Sequence, residues 1–304
     1  MCGIVGLHIK NREMRPMLGS WLLPMFDCMA NRGADSAGLA VFMEPVAGAL
    51  RRFNLYSPDR QYDWHKMNDA LTTQMGHQWQ NGQKGDIEGV ENHATVIAPV
   101  DPRAFRAWLV QYDSSLHLLS VGRSINVFKD TGHACETAKR YGFDKLNASH
   151  CVGHTRMATE SAVTPYHSHP FTAGEDFCLV HNGSLSNPYS LRRRLEKYGV
   201  EFETDNDTEA ACRFLEWRMR SGDDLETALH AAFAELDGFY TLLMATPDRL
   251  VLVRDAFACK PAVAAEHDDY VAISSEFRSL AHLPDIKNAR IFEPHPEEIY
   301  AWKV

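Results

Sequence analysis

Two pairs of short apolar segments in the last third of the chain place the strongest constraint on the fold. Residues 239–245 (FYTLLMA) and 250–256 (LVLVRDA) flank the turn TPDR, and residues 261–266 (PAVAAE) and 270–276 (YVAISSE) flank HDD. Apolar segments of this length, separated by short polar turns, predict antiparallel hairpins. Because helix-like segments alternate with strands earlier in the chain, we predict an α+β fold built in layers.

The first two thirds of the sequence mix strand and helix patterns. Strands are predicted at 4–9, 39–43, two stretches around Gly122 and 177–181, and helices at 16–29, 187–199, 208–220 and 224–236. Asp207 stands where the N-cap of the third of these helices is expected. Residues 45–113 read largely as loop. The one basic run, 192–194, lies in a helical segment and is predicted to form a solvated face.

Composition narrows the possible functions. The formal net charge of −9 argues against a nucleic-acid-binding surface, which needs clustered Lys and Arg. No apolar run approaches the roughly 20 residues of a membrane-spanning helix, and no signal peptide is expected. Seven cysteines at irregular spacings do not form a disulfide pattern, so we expect a cytoplasmic protein. The sequence also lacks the glycine-rich fingerprints of nucleotide-binding loops.

The sequence begins MCGIVG, which places a cysteine directly after the initiator methionine. A small residue at position 2 favours removal of Met1, and the chain would then begin with both a thiol and an α-amine. A cysteine thiol has a pKa of about 8.5 and needs a base at neutral pH, which an α-amine with a pKa of about 8 can provide. Cys2 is therefore a candidate nucleophile, although its position alone also fits a small buried hydrophobic residue.

Three further motifs contain groups that could bind a small polar ligand. In HTRMAT, Arg156 can hold a carboxylate bidentately, with Thr159 close in sequence, although a structural salt bridge would look the same. Asn182 and Gly183 can offer a side-chain amide and a backbone N–H to an oxyanion, or can form a hairpin turn. Asp207 can bind an ammonium group or cap a helix.

The order of these motifs resembles that of the class II glutamine amidotransferases, whose glutaminase domains are N-terminal-nucleophile hydrolases. An N-terminal Cys-Gly-Ile-Val-Gly is followed by Arg-Gly-x-Asp-x-x-Gly, Gly-His-Thr-Arg-x-Ala-Thr, His-Pro, His-Asn-Gly and Asp-Thr-Glu. The resemblance covers about residues 2–54 and 116–283. It implies a four-layer αββα sandwich with two antiparallel sheets, in a single domain over 2–304.

The resemblance also implies a role for each matching residue. Cys2 would be the nucleophile and its α-amine the base, while Asn182 and the Gly183 N–H would hold the oxyanion. The residues implied in binding the glutamine α-carboxylate and α-amine, or in the loop beside the nucleophile, are Arg156, Thr159, Asp207, Arg32 and Gly33. No metal or cofactor is implied within this chain.

Several motifs resemble most closely the free-standing amidotransferase subunits related to glutamate synthase, including the N-methylglutamate synthase type. Such a subunit passes ammonia or an amine from glutamine or another γ-glutamyl amide to a separate synthase subunit, which carries FMN and iron–sulfur clusters. We therefore expect a hetero-oligomer, with no synthase domain in this chain. Residues 56–113 exceed the minimal family pattern and are predicted to be an insertion with a functional or interface role.

Two other interpretations stay open at this point. A zinc site could be formed by a group of His and Cys side chains, namely His150, Cys151, His154, His167 and His169. Two of these histidines fall within glutaminase motifs that need no metal, which argues against zinc. The chain could instead be a non-catalytic regulatory or scaffold subunit. Retention of Met1 would favour that alternative, because Cys2 would then lack a free α-amine.

Overall fold

A computed structural model describes residues 2–76, 79, 85–157 and 163–304. Its strands are β1 Gly3–Ile9, β2 Ser36–Phe42, β3 Arg51–Tyr56, β4 Asp86–Val90, β5 His93–Ala98, β6 His117–Gly122, β7 Ile125–Thr131, β8 His150–Arg156, β9 Phe171–Thr172, β10 Cys178–Leu185, β11 Gly238–Thr246, β12 Arg249–Arg254, β13 Val263–Glu266, β14 Tyr270–Ser274, β15 Arg290–Phe292 and β16 Tyr300–Lys303. Its α-helices are α1 Leu18–Ala30, α2 Trp64–Met75, α3 Pro102–Tyr112, α4 Ala134–Arg140, α5 Pro188–Glu196, α6 Asp207–Arg220, α7 Leu225–Glu235 and α8 Phe277–Leu280. Short 3₁₀ helices cover Arg12–Met17, Phe143–Lys145 and Ile286–Asn288.

The described strands form three sheets. A seven-stranded sheet has the order β15-β13-β14-β1-β8-β2-β7, and a five-stranded sheet has the order β16-β12-β11-β10-β9. A four-stranded sheet has the order β4-β5-β3-β6. The strand pairs described within each sheet are antiparallel. Both hairpins predicted near the C-terminus, β11–β12 and β13–β14, are confirmed.

The two larger sheets face each other between helical layers. All seven residues of β1 are buried, because one face of its sheet packs on α1 and the other on the five-stranded sheet. The buried face of α1 carries Leu18, Leu22, Met25 and Met29, spaced at three or four residues as expected for an amphipathic helix. Helices α5, α6 and α7 cover the outer face of the five-stranded sheet. The predicted four-layer αββα sandwich is confirmed.

The four-stranded sheet was not expected from the sequence. It joins β3 and β6 to the strands of the predicted insertion, and α2 and α3 pack on it around their own core, which includes Phe53, Met67, Phe105 and Leu118. The prediction that residues 45–113 are largely loop is therefore wrong. The reason is local polarity: β4 is mostly exposed, and the polar faces of α2 and α3 dilute their apolar pattern. Within the part of the chain that the structure describes, no helix has the length and apolar character needed to span a bilayer.

The basic run on α5 also differs from its prediction. Arg192 is buried, and its guanidinium donates to the carbonyl oxygens of Thr204 and Asn206. It also lies over the Phe202 ring, 4.5 Å from the ring centre. The prediction of a solvated face is therefore wrong for Arg192, because the loop before α6 folds back over the side of α5.

Candidate active site

The ends of β1, β8 and β10 and the start of α6 meet at one cavity. Gly3 pairs with Thr155, which places Cys2 next to Arg156 at the end of β8. The facing sheet is tied to β8 at this point, because His154 Nε2 donates to the His181 carbonyl oxygen over 3.0 Å. Residues far apart in the sequence are therefore brought together where the two sheets face each other.

The cavity has a volume of about 130 Å³ and a mainly polar lining. Its walls include four of the residues singled out from the sequence, namely Cys2, Arg156, Gly183 and Asp207. The other predicted site residues are placed differently: Asn182 is buried beside the cavity, and Arg32 and Gly33 lie behind it. Thr159 lies outside the described residues.

The candidate nucleophile is partly exposed and firmly anchored through its backbone. Cys2 Sγ lies 3.8 Å from the Met157 carbonyl oxygen. Arg32 donates from Nε to the Cys2 carbonyl oxygen over 3.0 Å and pairs with Glu276 at 2.9 Å. Arg32 therefore fixes the start of β1 from behind the cavity rather than lining it. Met1 lies outside the described residues, so its removal stays a prediction.

Gly33 allows the loop after α1 to pack directly on the end of β8. A Cβ at Gly33 would lie 2.4 Å from the backbone carbon of Arg156, closer than any side chain tolerates. The loop also accepts no slack, because the Asp35 N–H donates to the Arg156 carbonyl oxygen over 3.0 Å. Burial lowers the pKa of Arg156, while nearby Cys2 and acidic side chains oppose that shift, so the guanidinium stays a fixed cation in the wall.

Asp207 faces the cavity instead of capping its helix. The N-cap of α6 is Asn206, whose side chain accepts from the Thr208 N–H over 2.9 Å, so the predicted capping role of Asp207 is wrong. Asp207 accepts from the Leu185 N–H over 2.9 Å, and His181 Nδ1 lies 3.8 Å from its other oxygen. Burial alone would raise the pKa of Asp207, but His181 and these hydrogen bonds outweigh it and lower the pKa to about 2.

The lowered pKa of Asp207 makes a testable contribution to stability. Because its folded-state pKa of about 2 lies below the ordinary 3.8, ionised Asp207 stabilises the fold at neutral pH. This contribution is lost as the pH falls from about 4 towards 2. We expect Asp207→Asn, which keeps an oxygen for the Leu185 N–H, to reduce the free energy of unfolding by about 2 kcal/mol at pH 7. Urea unfolding of both proteins at pH 7 and pH 3 measures the difference, and an equal difference at both pH values would contradict this origin.

The Asn182-Gly183 pair lies within β10, paired with Thr241 and Tyr240 of β11. The alternative that this dipeptide forms a hairpin turn is therefore wrong. Gly183 has φ of +145°, and a Cβ there would lie 1.8 Å from the Phe239 carbonyl oxygen, so only glycine fits. The Asn182 side-chain nitrogen is buried and has no hydrogen-bond partner among the described residues. A buried donor of this kind is available to an oxyanion that forms beside it.

Three histidines support the Asp207 side of the cavity, and motif reading assigned them no role. His154 and His169 stack with ring centres 3.9 Å apart, and burial lowers the pKa of both, that of His154 to about 3. His169 Nε2 and His181 Nδ1 lie 2.8 Å and 3.0 Å from the Thr208 hydroxyl oxygen. At neutral pH His154 and His169 are therefore uncharged and leave the negative charge of the acidic wall intact.

The cavity also has lining residues that sequence reasoning missed. Asp205 adds a second carboxylate to the Asp207 side, and Tyr189, which is 70% exposed, stands at the opening. The motif TDNDTE contains both acids, so the signal for Asp205 was present in the sequence. Nothing local distinguishes Tyr189 from an ordinary residue at the start of α5.

The zinc alternative does not fit the geometry of β8. Cys151 packs in the core under α1, whereas His150 stacks on Phe42 in the core between the sheets, because neighbouring strand residues point to opposite faces. His154 is held by the His181 carbonyl oxygen. Over the described ranges, no three His, Cys, Asp or Glu side chains converge as a metal site.

This arrangement combines a thiol with two opposite charges across a small cavity. Arg156 offers a cation to a carboxylate, and Asp207 offers an anion to an ammonium group. The two charges suit the two ends of a free amino acid, and the thiol lies where its side chain would reach.

Comparison with known proteins places the chain in a family. The family model described as a glutamine amidotransferase domain matches residues 154–282. The glutamine amidotransferase-like protein GlxB of Rhizobium meliloti is 42% identical over 303 residues, which cover 99% of this chain and 98% of that protein. The chain belongs to the glutamine amidotransferase family. The family match contains the end of β8, all of β10 and the start of α6, where the cavity lies.

Two further likenesses bear on the class and the fold. The glutamine–fructose-6-phosphate aminotransferase (isomerizing) of Xylella fastidiosa is 36% identical over 189 residues, 59% of this chain and 30% of that protein. The structure of the glutamine phosphoribosylpyrophosphate amidotransferase from B. subtilis covers 99% of this chain at a TM-score of 0.57 and 17% identity, and the match spans 47% of its own length. The predicted class II amidotransferase family and the amide-cleaving enzyme class are confirmed.

Proposed function

We propose that this chain is a glutaminase subunit that cleaves the γ-amide of glutamine, or of a related γ-glutamyl amide, through a thioester on Cys2. The observation that carries the proposal is the position of Cys2 in one cavity with the Arg156 guanidinium and the Asp207 carboxylate. Arg156 would bind the α-carboxylate of the donor and Asp207 its α-ammonium group. Fixing both ends of the donor delivers its amide carbon to the sulfur.

In the first half-reaction, the Cys2 sulfur attacks the amide carbon while its α-amine, freed by loss of Met1, accepts the thiol proton. The resulting oxyanion would receive hydrogen bonds from the Asn182 side chain and the Gly183 N–H. The carbon–nitrogen bond then breaks, and the α-ammonium group returns a proton to the leaving nitrogen. The products are ammonia and a γ-glutamyl thioester.

In the second half-reaction, water attacks the thioester carbonyl carbon and the α-amine accepts a proton from it. The same two donors would stabilise the second oxyanion. The carbon–sulfur bond breaks, the sulfur regains a proton, and glutamate leaves. Atoms balance as one amide plus one water giving glutamate and ammonia, or the corresponding amine.

The consumer of the released nitrogen would be a separate glutamate-synthase-like subunit. Support comes from the motifs that resemble such subunits and from the near end-to-end match with the amidotransferase-like GlxB, which is about the same length as this chain. The partner would carry FMN and iron–sulfur clusters, and this chain would need none. A hetero-oligomer in the cytoplasm is the corresponding expectation.

Active-site labelling tests the nucleophile directly. The purified chain is incubated with 6-diazo-5-oxo-norleucine, a glutamine mimic whose diazo carbon alkylates a thiolate with loss of dinitrogen. Intact-mass and peptide mapping then locate the adduct and report whether Met1 is removed. We expect an adduct on an N-terminal Cys2 that excess glutamine prevents. A processed Cys2 that remains unmodified, or labelling that glutamine does not slow, would contradict the proposal.

The range of donors needs a separate comparison. Glutamate release is measured from glutamine and from γ-glutamyl methylamide, with the isolated chain and with candidate synthase subunits. A higher kcat/KM for the methylamide would support an N-alkyl donor, and a preference for glutamine would assign ammonia as the transferred nitrogen. If neither amide releases glutamate under any of these conditions, the donor class proposed here is wrong.

A further inference from the structure

The predicted insertion contacts the loop that leads into Asp207. Residues 201–206, which we call the acidic loop, contain Glu203 and continue into the cavity wall at Asp205 and Asn206. Arg106, on α3 of the insertion, forms an ion pair with the Glu203 carboxylate. This contact joins an element outside the family pattern to the wall that would bind the donor's amino group.

A second contact reaches the same carboxylate from another side. The Tyr166 hydroxyl donates to Glu203, and the Tyr166 ring stacks on His117 of β6, with ring centres 4.2 Å apart. Because β6 belongs to the four-stranded sheet, Tyr166 also connects that sheet to the acidic loop. Arg213 of α6 adds a longer ion pair to Glu203 at 3.4 Å.

The acidic loop is otherwise held only by its own neighbours. Glu209 accepts from the Glu203 and Thr204 N–H groups over 2.8 Å and 2.7 Å, and Arg192 donates to the Thr204 carbonyl oxygen over 2.7 Å. These contacts close the loop against α5 and α6. The contacts from Arg106 and Tyr166 are those that fix it relative to the four-stranded sheet.

We propose that Glu203 is a positioning residue through which the insertion holds the acidic loop, and thereby Asp207, in the conformation that binds the donor. The link to donor binding rests on the function proposed above, whereas the link between insertion and loop does not. The side chains of Arg106 and Glu203 are 47% and 26% exposed, so the ion pair can break without exposing a core. Loss of it would loosen the loop rather than unfold the protein.

The test compares Arg106→Ala with Arg103→Ala, a matched loss of an exposed arginine from the same helix. Hydrogen exchange without ligand is measured at the Glu203 and Thr204 amides, together with kcat and KM for glutamine and the melting temperature. For Arg106→Ala we expect about threefold faster exchange and about threefold higher KM, with kcat and melting temperature unchanged. Arg103→Ala should match the wild type in all four.

Two further variants separate the contributions. Tyr166→Phe keeps the ring on His117 but removes the hydroxyl donor, and combining it with Arg106→Ala should raise KM by about tenfold. Arg106→Lys, which keeps the charge, should recover part of the loss. Unchanged exchange in the double variant, or faster exchange with unchanged KM, would overturn the proposal. If the wild type does not cleave glutamine, the proposed function fails, and the exchange comparison still decides whether the insertion holds the loop.

Discussion

Replacing Cys2 with Ala is expected to lower kcat/KM for glutamine by at least about 10⁴-fold, because no covalent intermediate can form without the sulfur. The binding groups on Arg156 and Asp207 are retained, so the variant should still bind glutamine. Since Cys2 Sγ has one long contact at 3.8 Å and is partly exposed, stability should change by less than about 0.5 kcal/mol. Glutamate release, glutamine binding and thermal unfolding measure the three quantities.

Cys259→Ala is the matched control for this experiment. Cys259 is an exposed free cysteine that lies away from the cavity lining, so its loss removes an accessible thiol without touching the site. Its activity should equal that of the wild type. Turnover by Cys2→Ala within tenfold of this control would show that the sulfur is not the nucleophile. It would also restore the interpretation of the chain as a regulatory or scaffold subunit.

Gly183→Ala is expected to impair both stability and activity. The new Cβ would lie 1.8 Å from the Phe239 carbonyl oxygen at a φ of +145°, so β10 and β11 must move apart. We expect a loss of about 3 kcal/mol in the free energy of unfolding. The Gly183 N–H would also leave its place beside Asn182, which should lower kcat by about 100-fold or more in the protein that remains folded.

Gly222→Ala separates the collision from the backbone strain. Gly222 also has a positive φ, +112°, but a Cβ there has open space around it at the end of α6. It should cost about 1 kcal/mol and leave kcat unchanged. Urea unfolding and steady-state kinetics of both variants measure the contrast. Equal stability losses in the two variants would contradict the role assigned to the close approach of Phe239.

The candidate site could be predicted where its chemistry is written in short motifs. Cys2, Arg156, Gly183 and Asp207 each stand in a motif of the family, and the structure places all four around one cavity. The roles of their neighbours could not be read in the same way. Arg32 was grouped with substrate binding, yet it contacts the Cys2 carbonyl oxygen from behind the cavity.

Errors in the fold prediction arose where local polarity hides a tertiary contact. Strand β4 is mostly exposed, so its sequence lacks the alternation that marks a half-buried strand, and only pairing with β5 identifies it. Arg192 reads as part of a solvated basic run, but it is buried by the acidic loop that folds over α5. In both cases the deciding partner lies elsewhere in the chain.

The sequence by itself determined the family, the candidate nucleophile and the antiparallel hairpins, because motif order and short-range apolar spacing are properties of neighbouring residues. Only the tertiary structure decided that Asp207 faces the cavity while Asn206 caps the helix, since both side chains suit an N-cap. It also decided that the insertion contacts Glu203, because Arg106 lies 97 positions earlier in the chain. Such pairings depend on how the layers pack, and no local pattern encodes them.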